Sequence, residues 1–142
     1  MQLTRAGEYG VLGVLHLAEH ANDVVMISHV AEAEEVPETF LRKIFGQLRR
    51  GGIVAAQRGR NGGFRLARPP EQISVLEVVE AIEGPVVLNV CVMGPRKCTR
   101  IARCPLHDVW MRAQAALEAV LGKCTLAELV ARRRAMIEAA RG

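Results

Sequence analysis

Arg58-Gly59-Arg60-Asn61-Gly62-Gly63-Phe64-Arg65-Leu66 reads as the turn and second strand of a tight, basic hairpin. Its glycines and asparagine supply the positive backbone angles that such a turn needs. Ile53-Val54-Ala55-Ala56-Gln57 is the first strand. Just before it, Gly51-Gly52 ends a helix whose apolar face is Phe40, Leu41, Ile44, Phe45 and Leu48. Pro37 is expected at the first position of that helix, where its missing N–H does no harm. A shorter helix, His29 to Glu35, is expected before it, with Ser28 as its cap. Asn22-Asp23 makes a turn, and a first helix covers residues 3–19 with Thr4 as N-cap. Three helices followed by a basic hairpin give a mainly α fold, a winged helix-turn-helix with a two-stranded wing.

Downstream, Ser74-Val75-Leu76-Glu77 is a capping box, with Ile73 and Val78 placed as its hydrophobic staple. It opens a helix to about Glu83, stopped by Gly84-Pro85. A loop from Val86 to Arg103 follows, containing Gly94-Pro95. Pro105 is expected to open a long helix ending near Gly122. A second capping box, Thr125-Leu126-Ala127-Glu128, starts the last helix. The expected division is a winged-helix unit over 1–84, a cysteine-rich loop over 85–104, and a dimerisation helix with a C-terminal helix over 105–142. Leu106, Val109, Trp110, Ala113, Ala116, Leu117, Val120 and Leu121 share one broad face of the long helix. Of these, Val109, Trp110, Ala113, Leu117 and Val120 are the expected core of a homodimer interface.

A chain of 142 residues, half of them apolar, is long enough for a real core and too hydrophobic to be disordered. No apolar run reaches the ~20 residues of a membrane span, and no secretion signal is visible. A reducing cytoplasm is therefore expected, where the four cysteines read as metal ligands or reactive thiols before structural disulfides.

The net charge of +4 is unevenly spread. Six acids and no Lys or Arg lie between Ala18 and Phe40. Eight bases and no acid lie between Arg42 and Arg68. A solvated surface would explain an ordinary charge run; coincidence with the third helix and the hairpin makes this block a polyanion footprint. Thr39, Arg42 and Lys43 lie off the apolar face of the third helix, which in this fold enters the major groove of double-stranded DNA. Arg58 and Arg60 at the hairpin tip suit the minor groove or the phosphates. Arg49, Arg50 and Arg65 read as phosphate contacts.

Cys91, Cys98 and Cys104 fall within 14 residues, with His107 three residues beyond the last. Thiolates this close suit an iron–sulfur cluster or zinc. The absence of a C-x2-C knuckle counts against zinc. Arg96, Lys97, Arg100 and Arg103 are expected to lower the thiol pKa values and to offset an anionic cluster. Cys124 reads as core packing. His16, His20 and His29 show no ligand-like spacing and read as ordinary residues.

Together these features resemble the Rrf family of transcription regulators, which includes IscR-like and NsrR-like members. The resemblance rests on Met1-Gln2-Leu3-Thr4, Phe40-Leu41-Arg42-Lys43-Ile44, the wing, Glu80-Ala81-Ile82-Glu83-Gly84, the cysteine triad, Trp110 and Thr125-Leu126-Ala127-Glu128-Leu129. It implies a homodimer swapped through the long helix, reading an operator with two half-sites. It also implies a two-iron or four-iron cluster held by Cys91, Cys98 and Cys104. The fourth ligand is His107 by the IscR-like pattern, or Glu8 of the other chain's first helix by the NsrR-like pattern. Glu8 also reads as a favourable charge near a helix start. The first cysteine gap is one residue longer than in IscR-like members, and Arg42 stands where those have an acid. The expected function is therefore a cluster-dependent regulator sensing iron, oxygen or nitric oxide, and not an enzyme. Its rivals are a DNA-binding protein with structural zinc or a thiol–disulfide switch, and an iron–sulfur electron carrier.

Overall fold

The computed structural model describes residues 2–94 and 96–142. Met1 and Pro95, named in the sequence signature and the cysteine loop, lie outside the described residues.

Helix α1 spans Arg5–Glu19, and the Thr4 side chain caps it by accepting from the Gly7 N–H. Its buried face carries Gly7, Gly10 and Gly13, which let neighbouring helices approach closely. A Cβ at Gly10 would stand 2.1 Å from the Ile82 side chain, and one at Gly13 would stand 2.7 Å from the Phe45 ring.

Helix α2 spans Ile27–Ala33, earlier than the sequence suggests. Ser28 lies inside it, and Met26 is the N-cap with no side-chain hydrogen bond. The reason is tertiary. Val25 is bridged to the wing: its N–H donates to the Phe64 carbonyl and its own carbonyl accepts from Phe64, both at 2.8 Å. The chain stays extended to Met26, and Ile27 then turns into the core.

Helix α3 spans Glu38–Arg50, and Pro37 is its extended N-cap, one position before the expected place. Leu41, Ile44, Phe45 and Leu48 are buried as expected. Phe40 is 38% exposed at the margin of that face, edge-on to Tyr9. Strands β1, Val54–Gln57, and β2, Gly63–Leu66, pair antiparallel with Val54 opposite Leu66 and Gln57 opposite Gly63. Three helices and this hairpin make the expected winged helix-turn-helix.

Helix α4 spans Val75–Glu83 and helix α6 Leu126–Arg141, and both expected capping boxes are formed. The two caps lie side by side, because Ser74 and Thr125 form a bridge and Val75 N–H donates to the Cys124 carbonyl. Ile73 and Val78 are fully buried, as a staple requires. The core of α1, α2, α3 and the wing extends into α6, through Leu126 and Val130. Fully burying an aliphatic side chain contributes roughly 1.5–3 kcal/mol, so α6 is an integral part of this core.

Helix α5 spans His107–Lys123; Pro105 and Leu106 form the turn before it. Its one buried residue is polar, Gln114. The Gln114 amide donates to the Val86 carbonyl and the Glu118 carboxylate, and its oxygen accepts from the Leu88 N–H. No helix among the described residues is long and apolar enough to cross a membrane.

Candidate nucleic-acid interface and metal-binding loop

Three of the basic residues singled out from sequence, Arg42, Arg49 and Arg58, share one groove, while Arg65 lines a different one. Thr39, Arg42 and Lys43 are exposed on the first turns of α3, and Arg49 and Arg50 on its last turn. Arg58 and Arg60 are exposed at the hairpin tip, and Arg65 on β2. Arg42, Arg49 and Arg58 line a common groove of about 380 Å³, bounded by the start of α2 and by Gly59, Gly62 and Gly63 of the wing. Arg42 pairs with Glu38 at 2.6 Å, one helical turn earlier. That pair is exposed and is worth at most ~1 kcal/mol, so Arg42 is readily released to another anion.

The wing is held in place by backbone. Gly63 has φ of +156°, and a Cβ there would stand 2.3 Å from the Val25 carbonyl oxygen. A glycine is therefore required where β2 crosses the segment leading into α2. Gly59, with φ of +108°, supplies the left-handed residue of the hairpin turn.

The cysteine loop is built from two short 3-10 turns, Val90–Met93 and Ile101–Arg103. Cys91 lies in the first, Cys104 directly follows the second, and Cys98 lies between them. All three are half-buried free thiols. Burial pushes the Cys91 thiol up, and the neighbouring Cys98 thiol, which hydrogen-bonds to it, and the Cys104 thiol push it further. The expected lowering by Arg96, Lys97, Arg100 and Arg103 is not what Cys91 experiences. Those four side chains are exposed.

His107 opens α5, with its N–H donating to the Cys104 carbonyl at 3.3 Å. Its Nδ1 is buried and has no hydrogen-bond partner among the described residues. A buried ring nitrogen left this way costs about 1–3 kcal/mol unless something occupies it. Three thiols on one loop and this orphaned nitrogen are by chemical type a soft donor set suited to an iron–sulfur cluster or zinc, although no three of these donor atoms lie within 4.8 Å of one another. Glu8 is exposed on α1, at the edge of an apolar groove lined by Leu3, Val11, Leu12, Val75, Val79, Leu117 and Leu121. No cysteine lines that groove.

The long helix leaves much apolar surface uncovered. Val109 is 48% and Val120 69% exposed, while Trp110, Ala113 and Leu117 are half-buried. Sequence reasoning missed Gln114, whose signal was an uncharged polar residue set between Ala113 and Ala115. It also missed a network centred on Arg133. This residue of α6 pairs with Glu34 at the end of α2 at 2.8 Å and with Glu19 of α1 at 3.3 Å. The three-arginine run 132–134 shows only that the helix end is basic. Finally, His16 and His20, read from sequence as ordinary residues, bring one ligand atom each, with one from Glu19, within 4.8 Å of one another.

Comparison with known proteins agrees with this fold. Residues 3–132 match the Rrf2 family, described as iron-dependent transcriptional regulators. An HTH-type transcriptional regulator of Haemophilus influenzae is 34% identical over 134 residues, 94% of this chain and 89% of its own length. The HTH-type transcriptional regulator IscR of Aliivibrio salmonicida is 32% identical over 92% of this chain and 77% of its own. The solved structure of T. potens IscR superposes with a TM-score of 0.73 at 28% identity, covering 94% of this chain and 88% of that one. These relatives are transcription regulators and not enzymes. A winged helix-turn-helix with a basic groove, matched over nearly its whole length, makes this chain a member of the Rrf2 family of transcriptional regulators.

Proposed function

We propose that this regulator is a cytoplasmic homodimer whose operator affinity is set by an iron–sulfur cluster on the cysteine loop. The buried, unpartnered Nδ1 of His107, three residues beyond Cys104, is the observation that carries the reading. Cys91, Cys98 and Cys104 would supply three thiolates and His107 the fourth ligand. Glu8, contributed across the dimer, is the other candidate for that position. When bound, such a cluster supplies an iron centre that responds to oxygen, nitric oxide or iron supply.

The chain's own residues do the rest. Helix α3 enters the major groove, with Thr39, Arg42 and Lys43 facing base edges. Arg58 and Arg60 reach the minor groove or the phosphates, while Arg49, Arg50 and Arg65 hold phosphates. Val109, Trp110, Ala113, Leu117 and Val120 pair α5 with a second copy, which sets the spacing of two half-sites. The cysteine loop packs on α5, and the Gln114 side chain ties the segment leading into that loop to the same helix. Rearrangement of the loop is thus transmitted to the dimer helix.

The test is anaerobic purification with iron and acid-labile sulfide counted per chain, in wild type, His107→Ala and Glu8→Ala. Brown wild-type protein with matched iron and sulfide is expected, with the cluster lost or labile in His107→Ala and retained in Glu8→Ala. Colourless protein carrying zinc, or no metal after reconstitution, would overturn the reading in favour of a structural metal or a thiol switch.

A further inference from the structure

The C-terminal turn of α1 carries ligands of a different kind from the cysteine loop. We propose that His16, Glu19 and His20 form a second metal centre, taking a divalent first-row transition ion of the zinc, nickel or cobalt type. His16 and His20 stand one helical turn apart, so both rings project from the same face. Their centroids are 4.7 Å apart with the rings tilted by 31°. Together with a Glu19 carboxylate oxygen, their ring nitrogens form a set of three donor atoms all within 4.8 Å of one another. Closing on an ion needs only side-chain adjustment from there, with donors about 2.0–2.2 Å from the metal.

The surroundings favour that use. His20 Nδ1 lies 3.0 Å from the His16 backbone carbonyl. His16 Nδ1 lies 3.6 Å from the Glu34 carboxylate. The His20 ring, whose Nδ1–H is held by that carbonyl, keeps its lone pair on Nε2, as metal-binding histidines commonly do. Both rings also line a cavity of about 700 Å³ between α1 and α2, whose other walls include Asp23, His29 and Glu32. That cavity offers room and further donors for an ion whose three protein ligands leave a position open.

The charges around the cluster are Glu34, Glu19, Asp23, Glu32 and the cation Arg133. Arg133 holds Glu34 through two hydrogen bonds, at 2.8 and 3.2 Å, and Glu19 through one at 3.3 Å. An ion on Glu19 therefore displaces the weaker of Arg133's bonds and leaves the paired ones on Glu34. The site sits where α1, the end of α2 and α6 meet, within the DNA-binding unit.

The test uses the full chain with Cys91→Ser, Cys98→Ser and Cys104→Ser, so that no thiolate of the loop takes the ion. Cobalt(II) is titrated and followed by absorption and by calorimetry. One cobalt per chain is expected, with nitrogen and oxygen ligand-field bands and no sulfur-to-cobalt charge transfer. His20→Gln in the same background changes an exposed residue and should keep the fold, checked by circular dichroism. It should weaken binding at least ~10-fold, since even an outer-sphere partner of a metal ligand is worth that much. No stoichiometric binding, or an affinity unchanged by both His16→Gln and His20→Gln, would overturn the proposal. Neither outcome bears on the cysteine loop, whose three thiolates are removed in this background.

Discussion

Gly63→Ala tests how the wing is held. A Cβ at this position would meet the Val25 carbonyl oxygen at 2.3 Å, the Val25 carbonyl carbon at 2.7 Å and Met26 N at 3.0 Å, all backbone atoms. No side-chain rotation relieves such a clash, so β2 must move away from Val25. That movement breaks the two 2.8 Å hydrogen bonds between Val25 and Phe64. Each is worth about 0.5–1.5 kcal/mol net, giving roughly 1–3 kcal/mol for the pair. The unusual φ adds about 1 kcal/mol or more for a residue with a Cβ. The expected loss is therefore about 2–4 kcal/mol in urea unfolding, measured at matched protein concentration. Operator affinity should fall as well, since Arg58 and Arg60 ride on the displaced hairpin. A Gly63→Ala protein as stable as wild type and binding DNA equally well would show that this crossing does not position the wing.

Other parts of the structure make three further outcomes testable. Arg58→Ala with Arg60→Ala should flatten the salt dependence of DNA binding by ~0.9 log unit per log unit of salt for each phosphate no longer neutralised; an unchanged slope would place the wing off the backbone. The Glu77 carboxyl is held below the usual carboxylate range, first by the Ser74 backbone N–H and then by Arg68. Its contribution is complete above the ordinary carboxylate value and is lost as pH falls through the lowered one. Glu77→Gln should therefore narrow the gap between neutral and acid stability, whereas parallel urea–pH curves for the two proteins would contradict this. Val120→Glu places a charge on the most exposed large apolar side chain of α5 and should convert the proposed dimer to monomer in sedimentation, while a fully dimeric variant would move the interface elsewhere.

What is legible in the sequence is what local chemistry decides. Thr4, Ser74 and Thr125 cap their helices as expected, because each cap closes within four residues. The wing is legible because its turn needs residues that tolerate positive φ. Ser28 misleads for the opposite reason: the bridge from Val25 to Phe64, far apart in sequence, fixes where α2 begins. Pro105 likewise suggests a helix start, yet the helix begins at His107. In the candidate site, the cysteine spacing announces a ligand set, but no spacing could show that the His107 Nδ1 is left without a partner among the described residues. The lowering expected from the loop cations is not seen at Cys91, whose thiol is pushed up by burial and its cysteine neighbours, while those cations stand exposed to solvent. His16 and His20 read as ordinary residues in the sequence, and their closeness as possible ligands is visible only in the structure, where Glu19 brings a third donor atom beside them.

If occupation of the cysteine loop sets DNA affinity, the two states of the protein must bind one operator differently. A single operator duplex, selected from a random library with both forms, is titrated with anaerobically reconstituted protein and with the same protein after cluster removal, at one fixed salt concentration. Affinities differing by about 5–150-fold are expected, the range of a coupling free energy of 1–3 kcal/mol, with no such difference when Cys98→Ser is treated in the same way. Equal affinities for the two forms of the wild type would exclude a switch operated by the cluster.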